Sequence, residues 1–313
     1  MFFIAGGTGF IGRHLIASLE KSGQRARCLV RASGKAGVCR KEGFESVAGD
    51  ITEKESLQGA LDGCDVLVHL VGIIEEKGPM TFVKVHVEGT RNLIDEAKAA
   101  GVQHLFYQSA LGASVSSGAR YFETKAEAED IVKASGIPYT IFRPSLVIGE
   151  GDGFTEKLKE LIDMGPFVPI PGDGNVKFQP MAIEDWVKCF MAVFSGPRQS
   201  AQLLSRIYEL GGPEHLTYNE IVAQLMETMG INKPVMHIPL DLMKISLPFS
   251  ALSRGVGLLL GKKIPSVTRE QLDLLRTDNI CARDGVERTF GFTPITYRSA
   301  LKKFIRPIHG ENP

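Results

Sequence analysis

MFFIAGGTGFIG, residues Met1–Gly12, decides the fold. Phe2, Phe3, Ile4 and Ala5 form a short apolar run with the composition of a buried strand. Gly6, Gly9 and Gly12 follow at three-residue spacing. A helical pattern starts at once: Ile11, Leu15 and Leu19 recur every four residues, and Gly23 stops it. Strand, glycine turn and helix in that order make a site for a dinucleotide pyrophosphate. The first glycine permits a tight turn, the middle one a close approach of backbone N–H groups, and the last a close packing of helix on strand. The helix N-terminus offers the anion unpaired donors and the positive end of a dipole. Gly6, Gly9, Phe10, Ile11 and Gly12 are therefore the first candidate contacts to a nucleotide cofactor.

The totals narrow the classes. A chain of 313 residues has room for one large domain or two modest ones. Lys+Arg and Asp+Glu are both 36, so no global basic field attracts nucleic acid, and no nucleic-acid partner is expected. Five scattered cysteines without a CxxC pair point to a reduced compartment, and the expected location is the cytoplasm. Seven histidines form no HxxxH or His/Cys cluster, so no metal site is expected. The first strand starts at the second residue, which leaves no room for a cleavable signal peptide. No run of about 18 uninterrupted apolar residues is available for a spanning helix.

The second strand, Cys28-Leu29-Val30, ends at Arg31. About 20 residues past the glycine turn an NAD-type site carries an acid for the ribose 2′-OH. Here a guanidinium stands instead, with a fork that suits a 2′-phosphate. Lys35 adds charge nearby. The expectation is NADP(H) over NAD(H); the bland alternative is a solvated arginine at a strand end.

The spacing GxxGxxG, with Thr8 inside it, resembles the short-chain dehydrogenase/reductase superfamily in its extended or atypical forms. That resemblance implies roles for further positions. Asp50-Ile51, after the third strand, matches the family's Asp plus apolar residue against the adenine, the carboxylate accepting from its amine. Asp50 also suits a cap for the helix expected over Glu53–Leu61. Asp65–Val71 reads as a central parallel strand, with His69 a core histidine and with Val71 and Gly72 beneath the cofactor ribose. Thr81–Ala100 reads as one long helix. Within it His86-Val87-Glu88-Gly89-Thr90-Arg91-Asn92-Leu93 is similar to the family's NVEGTxNL, and His86 stands where the family has an Asn that supports the active-site lysine through water.

Leu105-Phe106-Tyr107-Gln108-Ser109 is the next strand, its end directed at the nicotinamide. Tyr121-Phe122-Glu123-Thr124-Lys125 opens the following helix and matches the family's catalytic YxxxK. Residues i and i+4 share a helix face. An ammonium there stabilises phenolate and brings the tyrosine pKa down from about 10 toward working pH. Tyr121 then gives or takes a proton while hydride moves, and Lys125 also reaches the nicotinamide ribose in the family. The family's Ser or Thr falls on Ala110, with Ser109 one residue earlier and pointing the other way. Ser114, Ser116 and Ser117 lie on the loop beyond. Arg143-Pro144 resembles the family's Arg-Pro strand end and adds Pro144, with Ser109, to the candidate cofactor contacts. HVEGTRNL, QSALGA, YFETKAEAE and RPSLVIG together resemble most the group named for the dehydrogenase-like accessory subunit of respiratory complex I.

Beyond Gly149 the alternation of strand and helix breaks. Phe154–Met164 reads as a helix, and the pieces 167–172 and 176–180 are extended around a Gly-Asp-Gly turn. Arg206–Leu210 reads as a strand, and Thr217 with Glu220 as a capping box. Residues 238–263 are rich in Leu, with Ile245 and Phe249 among them and Lys262 and Lys263 at the end. They read as a helical pair over the second lobe, or as an interfacial segment in peripheral contact with a membrane. Thr296–Ile305 reads as an amphipathic closing helix.

The expected fold class is α/β, a Rossmann doubly wound parallel sheet with helices on both faces, plus a smaller C-terminal α+β substrate lobe. Residues 1–150 are the NAD(P)-binding domain, with later segments returning to it, and 151–313 the substrate lobe. The expected function is that of an atypical oxidoreductase or epimerase/dehydratase-like enzyme, with a small or hydrophobic carbonyl, alcohol or quinone-like substrate. The alternative is a non-catalytic NAD(P)H-binding accessory, assembly or redox-sensing protein.

Overall fold

The computed structural model describes residues 1–31, 44–194, 205–241 and 269–306. Lys35 and the stretch of 238–263 from residue 242 onward lie outside them, so the membrane-contact expectation does too. Among the described residues no helix is long and apolar enough to cross a membrane.

The apolar runs form parallel strands: β1 (Phe2–Ala5), β2 (Ala26–Val30), β3 (Phe44–Ala48), β4 (Val66–His69), β5 (His104–Gln108), β6 (Tyr139–Pro144) and β7 (Arg206–Leu210). Their order across one sheet is β7-β6-β5-β4-β1-β2-β3. This is the doubly wound Rossmann order, whose reversal between β1 and β4 opens a crevice at the strand C-termini. Ala5 pairs in register with Leu29 on one side and His69 on the other.

Both sheet faces are covered, which is why β1 and β5 are buried at every position. Phe3, Ala5, Leu105, Tyr107 and Ile141 share one core with α2 (Gly89–Ala99) and α3 (Arg120–Lys133). Alternate residues turn the other way. Phe106 and Phe142 meet Trp186 and Phe190 of α4 (Ile183–Phe194), which lies beside α1 (Phe10–Lys21).

Two helices differ from expectation. Over Glu53–Leu61 there is a single 3₁₀ turn, Lys54–Leu57. Ser56 Oγ bonds locally, accepting from Asp50 N and donating to Glu53 O, while Gly59 takes φ +71°. Such local bonds compete with a continued helix. Over Thr81–Ala100 the helix is not uniform: Val83–Glu88 is a π turn, and regular α2 begins at Gly89.

The chain divides into two units. The first comprises Met1–Pro144 and Ile183–Leu210; the second comprises Ser145–Ala182 and Gly211 onward. The returning segments are thus α4 and β7, and β7 pairs parallel with β6 as an edge strand. Within the second unit, Val168–Pro171 pairs with Val235–Ile238, and Lys177–Phe178 with Leu216–Thr217. Thr217 and Glu220 form the expected capping box of helix Tyr218–Met229, and Thr296 caps helix Tyr297–Phe304.

Candidate functional site

The glycine turn has the geometry its spacing predicts. Gly6 takes φ +94°, which only glycine adopts freely, and its carbonyl accepts from Gly9 N at 3.1 Å. A methyl group on Gly12 would stand 2.3 Å from Gly6 O, so the third glycine is a packing requirement. The turn borders a groove of about 230 Å³ at the C-terminal ends of the strands. Gly6 and Gly9 line it, as do Arg31, Asp50, Ile51, Val71 and Gly72 from three further stretches of chain. Phe10, Ile11 and Gly12 form the first turn of α1 behind the glycine loop.

The Asp50–Ile51 wall of the groove is held by the segment 86–93. Gly89 lets Ile51 approach, since a methyl there would meet Ile51 Cδ1 at 2.6 Å. Asn92 Nδ2 donates to Ile51 O at 2.9 Å. Asp50 Oδ1 accepts from Thr52 N and Thr52 Oγ1, both at 2.9 Å, so the carboxylate also caps its own turn. Ile73, Met80 and Val85 also line the groove. Nothing in their spacing marks them, because they reach it through the loop after β4 and the π turn.

At the other end stand Tyr121 and Lys125. They share a face of α3, yet Lys125 Nζ donates to Gln108 O at 2.9 Å and lies 5.0 Å from the centroid of the Tyr107 ring. Burial brings the lysine pKa down to about 8, against an upward pull from Glu129. A methyl group on Gly72 would stand 3.0 Å from Nζ, which joins this end to the groove. The expected lowering of the Tyr121 pKa is not found. The phenol packs edge-on against Phe82 and His86, and burial pushes its pKa up to about 12. Desolvation of the phenolate outweighs an ammonium whose bond goes to a carbonyl.

Two further candidates stand outside the groove. Ser109 is buried, and its hydroxyl donates to Glu129 Oε1 at 2.5 Å. Pro144 closes β6, its carbonyl accepting from Leu111 N at 2.9 Å, and it does not line the groove. Arg143 beside it is structural: Nε and Nη2 clamp the two oxygens of fully buried Glu129 at 2.8 and 2.6 Å. This fork fixes α3 against β6, and with it the face that carries Tyr121 and Lys125. Ala110 offers no donor, and the nearby serines serve their own loop: Ser114 and Ser116 hydroxyls meet at 3.2 Å, and Ser117 donates to Ala119 O.

The buried histidines His69 and His86 are both neutral. Thr90 Oγ1 donates to His86 O, so it accepts from His69 Nε2 at 2.9 Å. Burial, with the Lys125 charge second, depresses His69 to about 3. His86 is fully buried and held to about 2 by the same two causes in the same order.

Residues 6–160 match a protein family described as NAD(P)H-binding. A ceramide reductase of Caulobacter vibrioides is 29% identical over 75% of this chain and 73% of its own length. The mitochondrial NADH dehydrogenase [ubiquinone] 1 alpha subcomplex subunit 9 of Arabidopsis thaliana is 27% identical over 91% of this chain and 71% of its own. The NADPH complex of an NADPH-dependent quinone oxidoreductase of Escherichia coli has the same fold, with a TM-score of 0.72 at 21% identity over 97% of this chain and 99% of that one.

Proposed function

We propose that the protein, whose residues 6–160 match an NAD(P)H-binding family, binds NADP(H) in preference to NAD(H) and reduces a small or hydrophobic carbonyl or quinone-like compound. The observation that carries this reading is the convergence of the glycine turn, Arg31, Asp50, Ile51, Val71 and Gly72 on one groove, with Gly72 in contact with Lys125. The fit is that of a dinucleotide: a close-packed glycine cradle for phosphates, a guanidinium at a strand end and an apolar wall beside a carboxylate. The nucleotide, when bound, supplies the hydride. Gly6, Gly9 and the first turn of α1 hold the pyrophosphate, and Arg31 forks onto the 2′-phosphate. In this reading Lys125 binds the ribose hydroxyls. Tyr121 is the proton donor. A phenol held near 12 is protonated at neutral pH, so it gives a proton to a nascent alkoxide more readily than it takes one from an alcohol.

The second reading, a nucleotide-binding accessory or redox-sensing protein without turnover, is favoured by the burial of Ser109 against Glu129 and by Ala110 beside it. The deciding experiment follows NADPH oxidation with a panel of quinones and carbonyls in wild type and Tyr121→Phe. The reductase reading expects turnover that falls at least about 100-fold in the variant. Tight NADPH binding without turnover on the whole panel supports the second reading, and turnover insensitive to Tyr121→Phe removes the proposed proton donor.

A further inference from the structure

His86 sits where the two ends of the site meet. Its ring carries two directed bonds, and each goes to an element that bears site residues. Ile73 N–H, next in the chain to groove residues Val71 and Gly72, donates to Nε2 at 3.1 Å. Nδ1 lies 3.0 Å from Thr124 Oγ1, in α3 between Tyr121 and Lys125. The first bond leaves Nε2 without a proton, so Nδ1–H is the donor to Thr124, whose own proton goes to Arg120 O at 2.9 Å. The imidazole is therefore one defined tautomer with both nitrogens used. Its faces are used as well: it stacks on Phe82 at 5.4 Å and meets the Tyr121 ring edge-on at 5.7 Å. A methyl group on Gly72 would come within 3.6 Å of Nε2 and 3.0 Å of Lys125 Nζ, so imidazole and ammonium both pack against the loop at Gly72.

We infer that His86 is a positioning residue: a neutral, Nδ1-protonated clamp that ties the Gly72–Ile73 loop to helix α3 and so sets the distance between the groove floor and the Tyr121–Lys125 pair. The inference rests on the nucleotide reading above and deepens it. A buried histidine satisfied on both sides is often only a core residue. What separates this one is that its partners lie on opposite sides of the site rather than on one packed element. The π turn Val83–Glu88 carries the ring there, and such turns recur at functional positions. Loss of the clamp loosens the nicotinamide end and leaves the adenosine end, built from Arg31, Asp50 and Ile51, as it was.

The test compares NADPH with 2′,5′-ADP, which occupies only the adenosine end. Wild type, His86→Phe and Thr124→Val are titrated with both. His86→Phe keeps a planar ring against Phe82 and removes both bonds; Thr124→Val removes only the α3 arm. The expected result is about a tenfold loss of NADPH affinity in His86→Phe, or 1.4 kcal/mol. A smaller loss is expected in Thr124→Val, with 2′,5′-ADP affinity unchanged in both. Should His86→Phe fail to fold, Thr124→Val carries the comparison. Unchanged NADPH affinity overturns the inference, and so does an equal loss for both ligands in a folded variant, which marks a merely structural role. Wild-type protein that binds neither ligand refutes the nucleotide reading, and the clamp with it. Independently, ¹⁵N spectra of wild type are expected to show His86 as the Nδ1–H tautomer from pH 8 to pH 5. A proton on Nε2, or titration in that range, overturns the clamp while leaving nucleotide binding untouched.

Discussion

Gly12→Ala tests the glycine cradle at its tightest point. The added methyl would lie 2.3 Å from Gly6 O, 2.6 Å from Gly7 Cα and 2.7 Å from Gly7 O. Contacts of this kind settle near 3.5 Å, so α1 and the turn must part by roughly 1 Å. Every partner is backbone, and no rotamer change relieves the clash. Overpacking of this order costs about 1–3 kcal/mol. At about 2–4 °C per kcal/mol for a domain of this size, Tm falls by roughly 2–12 °C. The same retreat withdraws backbone donors from the pyrophosphate. Each hydrogen bond to a charged group contributes about 1.5–3 kcal/mol, so loss of two weakens NADPH binding by at least about 100-fold. Gly9→Ala is the control. Its backbone, φ −75° and ψ 177°, suits any residue, and its methyl meets only Gly6 O at 3.3 Å. Its stability is expected within about 0.5 kcal/mol of wild type, while affinity falls because Gly9 lines the groove. Calorimetry and NADPH fluorescence titration read the two effects separately. Wild-type Tm and affinity in Gly12→Ala, or an equal loss of stability in Gly9→Ala, would refute the reasoning.

Arg31→Asp is expected to exchange cofactor preference. Removing the guanidinium takes away about 1.5–3 kcal/mol of charge-assisted bonding to a 2′-phosphate, roughly a 10–100-fold loss for NADPH and little for NADH; a wild type that prefers NADH sinks the argument. Acid should unfold the protein early. His69, His86 and His104 are held by burial at about 3, 2 and 4, below their ordinary value, so the folded state stays neutral where the unfolded chain takes up three protons. Their contribution is fully present above pH 6.5 and is lost as pH falls below it, by about 4 kcal/mol per unit for the three together. Urea melts at pH 7.5 and 5.5 measure this, and equal unfolding free energies at the two values would contradict the assignment of three neutral histidines.

The parts of the site legible in the sequence are those carried by short-range pattern. The glycine turn, Arg31 at a strand end and Asp50-Ile51 after the next strand are each defined by a few neighbouring residues, and the parallel sheet brings them together at its C-terminal edge. The family phrase VEGTRNL also proves physical, since Gly89 admits Ile51, Thr90 holds His69 and Asn92 fixes Ile51 O. What escaped depends on partners distant in the chain. YxxxK says that Tyr121 and Lys125 share a helix face, but not that Gln108 O takes the ammonium. The address of Ser109 is set by Glu129, twenty residues on. The π turn comes from no periodicity, and the single 3₁₀ turn at Lys54–Leu57 reflects local bonds of Ser56 that compete with an apolar pattern. Arg206–Leu210 looked like a strand of the second half because nothing local says that its partner is β6.

That last strand has a consequence for synthesis. The first unit is not contiguous in the chain: α4 and β7 come only after Ser145–Ala182. Until residue 210 has left the ribosome, β6 is an open edge, and Phe106 and Phe142 wait for Trp186 and Phe190. The glycine turn, made first, thus belongs to a sheet that closes late. The nascent nucleotide domain carries an exposed aromatic face through the translation of some sixty further residues, a window in which a chaperone or the bound nucleotide itself has most to contribute.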